Sequence, residues 1–230
     1  MLTGFSRLEQ LVDEYPDRRL QTLMHFVNTA TLKEAHKLQE EGKASGVDKE
    51  TKASYGRDLK ANIEDLISRM KTFSYRPQPV RRTYIEKEGG TGVRPLGIPA
   101  YEDKLVQRVM AEVLNVIYEP KFLDCSWGFR AGRDCHQAIL QLNRYLFDYT
   151  SWVVDADIRG FFDHVNHEWL IKFLEHEIDD KNFIRYTKRF LRSGVMENGI
   201  HTMSEEGVAQ GGLCREQHKE PYVGINVMPS

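Results

Sequence analysis

Trp152-Val-Val-Asp-Ala-Asp-Ile-Arg-Gly-Phe-Phe-Asp-His-Val165 is the stretch on which the reading of this chain turns. It has the pattern of a β-branched strand that carries acids toward its exit and breaks at Gly160 into Phe161, Phe162 and a third acid, Asp163. Strand side chains alternate between faces, so Asp155 and Asp157 share one face while Val154, Ala156 and Ile158 share the other, which can be buried. Carboxylates fixed at a strand end hold a hard cation such as Mg²⁺ better than carboxylates on a mobile loop. A structural role competes with this one. Asp163 can serve mainly to cap the following helix, because acids near a helix N-terminus are favoured by its exposed amides.

The rest of the chain supplies blocks that belong together. They are Ala44-Ser-Gly-Val-Asp48, Tyr75-Arg-Pro-Gln-Pro-Val-Arg-Arg82, Val93-Arg-Pro-Leu-Gly-Ile-Pro99 with Asp103-Lys-Leu-Val-Gln107, Ser126-Trp-Gly-Phe-Arg-Ala-Gly-Arg133 with His136-Gln-Ala138, and Ala209-Gln-Gly-Gly212. In this order they resemble the reverse transcriptase domain of group II intron maturases and their retron-like relatives, the stretch 152–165 being similar to polymerase motif A and Ala209–Gly212 to motif B, with alanine in place of the family's proline. The resemblance runs over about residues 20–212.

Composition sets outer bounds. With 230 residues, 40% of them apolar and 29% charged, the chain can build one large core or two small ones. No apolar run approaches membrane-spanning length, and acids at Asp13, Glu14 and Asp17 follow the N-terminus where a secretion signal would be apolar, so a cytoplasmic setting is expected. The three cysteines, Cys125, Cys135 and Cys214, are odd in number and lack Cys-x-x-Cys spacing, which points to neither a disulfide framework nor a zinc site. A net charge of −2 is low for a nucleic-acid polymerase. It conceals a local excess of bases from Arg69 to Arg108, where Lys71, Arg76, Arg81, Arg82, Lys87, Arg94 and Lys104 face only Glu86, Glu88, Glu102 and Asp103. That excess coincides with the segments similar to the fingers, and we expect it to meet phosphate rather than only water.

Periodicity places the elements. Residues 18–40 carry a broken helical stripe, and 58–70 a second one through Leu59, Ile63, Leu66, Ile67 and Met70. Val80–Glu86 and Val93–Ile98 predict two strands around Gly89-Gly-Thr-Gly92, a glycine-rich hairpin turn. Tyr101–Tyr118 is the clearest helix, because Leu105, Val109, Val113 and Ile117 recur at every fourth position. Further helices are expected at 134–147, 167–178 and 182–192, and a strand-like stretch after Gly194. Asp179-Asp180 reads as a solvated helix end, His136 as a packing or capping residue, and Phe129 as the anchor of a turn. Arg130 and Arg133 suit template contact and a structural role equally.

The resemblance implies more than the pattern does. The fold expected is α+β and helix-rich: the fingers (1–145, with an N-terminal extension) and partial palm (146–212) of a right-hand polymerase, then a divergent tail (213–230). The activity implied is RNA-directed DNA synthesis by two-metal nucleotidyl transfer, with Mg²⁺ as cofactor and an RNA template, a primer, dNTP and group II intron RNA as partners, and no membrane. Asp157 is the implied motif A metal ligand, with the backbone carbonyl of Ile158 a second. Phe162 corresponds to the aromatic beneath the nucleotide sugar, although a core aromatic is its competing role. Lys87 and Arg94 fall where the family holds the triphosphate, with Glu86 standing where a proline is usual. Gln210 and Gly211 match the motif B contact with nucleotide and template. No motif C, an Asp-Asp pair after a tyrosine, occurs downstream of motif B in these residues. The expectation is therefore a chain inactive alone, its frame ended by truncation or frameshift; the alternatives are a non-catalytic RNA-binding protein, or half of a split enzyme whose partner chain brings motif C. The polar tail Leu213–Ser230 is expected to pack poorly.

Overall fold

A computed structural model describes residue 2 and residues 4–86 and 92–208. Eight helices occur among them: α1 (Ser6–Glu14), α2 (Thr29–Leu38), α3 (Lys52–Gly56), α4 (Leu59–Lys71), α5 (Tyr101–Tyr118), α6 (Cys135–Tyr149), α7 (His167–Glu177) and α8 (Lys181–Leu191). The strands are β1 (Val80–Glu86), β2 (Val93–Ile98), β3 (Val195–Glu197) and β4 (Ile200–Thr202), in the order β2-β1-β3-β4. This is the helix-rich mixed architecture expected.

Helix α5 is the axle of the fold. Leu105, Val106, Val109 and Val113 have no solvent exposure, and they pack with Leu8 and Val12 of α1, Leu32 and Ala35 of α2, and Ile63 and Leu66 of α4. Each buried valine, leucine or isoleucine among them contributes about 1.5–3 kcal/mol. From the far end of the chain, Ile171 and Leu174 of α7 and Phe183, Ile184 and Tyr186 of α8 enter the same core. The stripe at 18–40 resolves into a 3₁₀ turn at Met24–Phe26 and α2, separated by Asn28. Its side chain accepts from the amides of Ala30 and Thr31 while the Thr31 hydroxyl accepts from the Asn28 amide, a capping box that fixes where α2 starts.

The block Ala44–Asp48 braces the start of α5. Asp48 Oδ2 accepts from the Tyr101 amide at 2.7 Å, the Ala44 carbonyl accepts from Lys104 Nζ at 2.7 Å, and the Ser45 carbonyl accepts from Arg81 at 2.9 and 2.8 Å. A Cβ on Gly46 would lie 2.5 Å from the Pro99 carbonyl oxygen, so only glycine lets these backbones approach.

The hairpin forms in the expected place. β1 and β2 are antiparallel with Arg82 opposite Gly97, Tyr84 opposite Pro95 and Ile85 opposite Arg94. Periodicity did not show that β3 joins β1 in parallel, Val80 beside Val195 and Arg81 beside Met196. Gly194, at φ +79°, makes the turn from α8 into β3, where a Cβ would meet the Thr202 carbonyl oxygen at 2.4 Å.

Two expectations are corrected. Residues 151–158 form no strand and lie exposed, Trp152 at 91%. A strand exists only through hydrogen bonds to a neighbour, and no segment among the described residues pairs with this one. Asp180 is not a solvated end: it is 7% exposed and caps α8, Oδ1 accepting from Asn182 and Phe183 while Oδ2 accepts from the Leu23 and Met24 amides at 2.7 and 2.8 Å. Asp179 beside it is the half-exposed member, paired with Arg19 at 3.3 Å.

Candidate nucleic-acid interface

The segment similar to motif A ends in a short turn rather than a packed strand. Gly160 takes the left-handed conformation at φ +63° and opens a 3₁₀ turn, Phe161–Asp163. The two rings meet edge to face at 5.4 Å, and Phe162 is 40% exposed, so it is not a core aromatic. What secures the turn is the chain before motif B: the Val208 amide donates to the Phe162 carbonyl at 2.7 Å and the Gly207 amide to the Val165 carbonyl at 2.8 Å. Gly207 sits so close that a Cβ would be 2.7 Å from the Asp163 carbonyl oxygen. Asp163 does not cap the next helix. Asn166 does, accepting from the Trp169 amide at 3.0 Å, because it alone occupies the N-cap position of α7.

Asp155, Asp157 and Ile158 are exposed on the unpaired segment. No group of three or more His, Cys, Asp or Glu side chains gathers to hold a metal among the described residues. The side chains described therefore do not fit a two-metal centre, which needs several carboxylates around paired ions.

The cations between Arg69 and Arg108 divide by what they touch. Arg69 pairs with Asp65 and Glu102 at 2.6 and 2.8 Å; burial works against its charge, but those two carboxylates hold its pKa above the ordinary value. Arg81 and Lys104 are committed to the carbonyls of Ser45 and Ala44, and Arg76 to that of Phe73. Arg94 stands exposed on β2. Lys87, Gln210 and Gly211, like the tail 213–230, lie outside the described residues.

Arg130 and Arg133 serve the loop they belong to. Arg130, 7% exposed, donates to Glu119 Oε1 at 3.0 Å and to the carbonyls of Leu123 and Ser126 at 2.9 and 3.0 Å. Arg133 donates to the Asp124 carbonyl at 2.6 Å and lies over the Trp127 ring. Phe129 turns the chain with a left-handed φ of 60° while staying largely exposed, so it does not anchor by burial. His136 is exposed, its Nδ1 3.7 Å from the free thiol of Cys135.

A buried polar network went unread in the sequence. Asp103, 2% exposed, accepts from the Tyr75 hydroxyl and from the Gln78 amide at 2.8 Å. Burial pushes its pKa up to about 7 against the pull of those donors, and burial together with Asp103 raises that of Tyr75. A helical charge spacing was legible but not singled out: Lys181, Arg185, Lys188 and Arg189 repeat at helical intervals along one side of α8, and Arg192 continues the spacing at its C-cap.

Residues 85–214 match the family described as reverse transcriptase (RNA-dependent DNA polymerase). The chain is 40% identical over 151 residues to the group II intron-encoded protein LtrA of Lactococcus lactis subsp. cremoris, covering 66% of this chain and 25% of that protein. It is 33% identical over 206 residues to protein YkfC of Escherichia coli K12, covering 86% of this chain and 54% of that one. The chain thus spans about a quarter to a half of the length of these relatives. A solved structure, the partial Cas6-RT-Cas1–Cas2 complex, superposes with a TM-score of 0.55 over 85% of this chain and 32% of that chain at 18% identity, a likeness of fold. No helix among the described residues is long and apolar enough to cross a membrane. Motif order, the hairpin in register and the match across more than half the chain converge: the chain belongs to the reverse transcriptase (RNA-dependent DNA polymerase) family, in its group II intron-type branch.

Proposed function

We propose that this chain supplies the template- and nucleotide-facing surface of an RNA-directed DNA polymerase, residues 1–145 as fingers and 146–212 as the first part of the palm. Lys87 and Arg94 would face the triphosphate of an incoming dNTP, where Arg offers a two-pronged donor and Lys a point charge. Phe162 would lie under the sugar, Gln210 and Gly211 against nucleotide and template, and Asp157 with the Ile158 carbonyl would be Mg²⁺ ligands. The observation that supports this reading is the β1–β2 hairpin, which leaves Arg94 exposed on the arm where the family's triphosphate-binding cation belongs.

One motif A carboxylate does not hold two ions, so the chain by itself binds and positions nucleic acid without extending a primer. Further carboxylates would come from outside these residues, and group II intron RNA is the natural ligand class for a relative of intron-encoded proteins. The test is primer extension on an RNA template with Mg²⁺ and labelled dNTP, run beside binding to the same primer–template. We expect no incorporation, binding that weakens with salt, and a further loss when Arg82 and Arg94 are both changed to Ala. Arg81 is omitted because its guanidinium holds the Ser45 carbonyl. Incorporation abolished by Asp157→Ala would overturn the inactivity, and a flat salt response would overturn the binding.

A further inference from the structure

We propose that the cleft between α8, the Arg76–Pro79 run and β4 is a second nucleic-acid site, one that grips a sugar–phosphate backbone without using the motif A segment or the hairpin. The cleft has a volume of about 770 Å³. Lys181, Arg185, Lys188 and Arg189 rim it from α8, with Arg192 just past the helix end, and Arg76 lines it from the Arg76–Pro79 run. Among the described residues, the acids lining it are Glu175 and Asp179, each already paired, with Lys188 and with Arg19, at 3.3 Å. Lys181, Arg185 and Arg192 are exposed and have no carboxylate within ion-pair distance among the described residues. In a chain of net charge −2, such a concentration of one sign is a local feature and not a general coat.

The cluster is held together against its own repulsion. Arg189 is fixed by donating to the Tyr75 and Phe73 carbonyls at 2.7 and 3.1 Å, Arg76 by the Phe73 carbonyl, and Arg185 by lying 4.2 Å over the Phe73 ring. Burial and then the neighbouring charges of Arg76 and Arg185 lower the pKa of Arg189, as expected where guanidinium groups crowd without a counter-ion. Phosphate oxygens in the cleft would relieve that repulsion.

The ligand chemistry follows from shape and lining. The 11 residues of α8 extend over about 16 Å, so its cations can meet successive phosphates, where a single phosphorylated side chain would engage only two or three of them. Pro77, Pro79, Ile178 and Ile184 give an apolar floor beneath the charged rim, which suits a polymer alternating ribose with phosphate. A phosphopeptide is the competing ligand.

The experiment uses the whole chain and a fluorescein-labelled, blunt-ended RNA duplex, which has no recessed primer end, read by fluorescence anisotropy across a KCl series. Arg185→Gln with Arg192→Gln should weaken binding at least about tenfold and reduce the slope of log affinity against log salt by about 2. Lys33→Gln with Lys37→Gln, exposed cations of α2, should change affinity less than about twofold. Lys181→Gln with Arg192→Gln, both exposed, repeats the test should the first pair lower the unfolding midpoint. Equal losses from the α2 control pair and the Arg185–Arg192 pair would overturn the site, as would tighter binding of a doubly phosphorylated peptide than of the duplex. Loss of duplex binding in Arg94→Ala would return the contact to the hairpin and defeat the second site while leaving the polymerase reading intact.

Discussion

Helix α5 and the segment 151–163 are both rich in apolar side chains, yet one is the axle of the core and the other lies open, Leu105 with no exposure and Trp152 at 91%. Each was legible as an element that ought to be covered. The difference is that α5 satisfies its own backbone hydrogen bonds and needs only side-chain neighbours, which α1, α2 and α4 provide. A strand must borrow its hydrogen bonds from an adjacent strand, and hydrophobicity alone does not supply one.

The comparison is sharpened most by truncating one side chain on each side. Leu105→Ala should cost about 2–5 kcal/mol in urea unfolding, from lost burial and the cavity left behind. Trp152→Ala, with nothing packed on it, should stay within about 0.5 kcal/mol despite removing a larger side chain. Similar costs for the two would break the comparison, because the open segment would then be packed in solution.

The paired acids between α7 and α8 set the same contrast at smaller scale. Asp180→Ala strips the cap from α8 and leaves the Leu23 and Met24 amides without their acceptor, an expected loss of about 2–4 kcal/mol. Asp179→Ala removes a half-exposed ion pair worth about 0–1 kcal/mol. An unfolding series in which both variants match would show Asp180 to be solvated after all.

Asp103 gives the most conditional effect, because it is visible only as a dependence of stability on pH. Its carboxyl is raised from 3.8 to about 7, so the folded state binds its proton more tightly than the unfolded chain does. The stabilisation from that proton is complete below the ordinary carboxylate range and is lost as pH rises through about 7. Relative to Asp103→Asn, the wild-type chain should lose stability across that window, by at most about 1.4 kcal/mol per pH unit. The amide variant should remove this component of the pH profile; an unchanged difference at every pH would mean that the Tyr75 and Gln78 donors hold the carboxylate ionised throughout.

What could be read from sequence follows how local its cause is. The ends of α5 fell where the stripe of Leu105, Val109, Val113 and Ile117 placed them, and the hairpin where β-branched runs flank glycines, because both depend on neighbours a few positions away. Asp180 was misread because its decisive partner, the Leu23 amide, is 157 positions distant. The same cause removed Arg81 and Lys104 from the pool of phosphate-binding cations: each is committed to a carbonyl oxygen 36 or 60 positions away that composition does not reveal. The cations of α8 had a readable spacing, but only the fold brings Arg76 into the lining of their cleft.

The latch at Asp180 also imposes an order in time. The ribosome adds about 5–20 residues each second, so the Leu23 and Met24 amides wait roughly 8–30 seconds for a carboxylate made so much later. α2, α4 and α5 can collapse together during that interval, since their contacts need nothing beyond Tyr118. The loop around Leu23 and the parallel pairing of β1 with β3 cannot close before α8 and Val195 have emerged. Folding of this chain therefore has an early phase set by nearby helices and a late one set by long-range closure, and a nascent chain stalled before Asp180 should carry a formed α5 core beside an unlatched N-terminal arm.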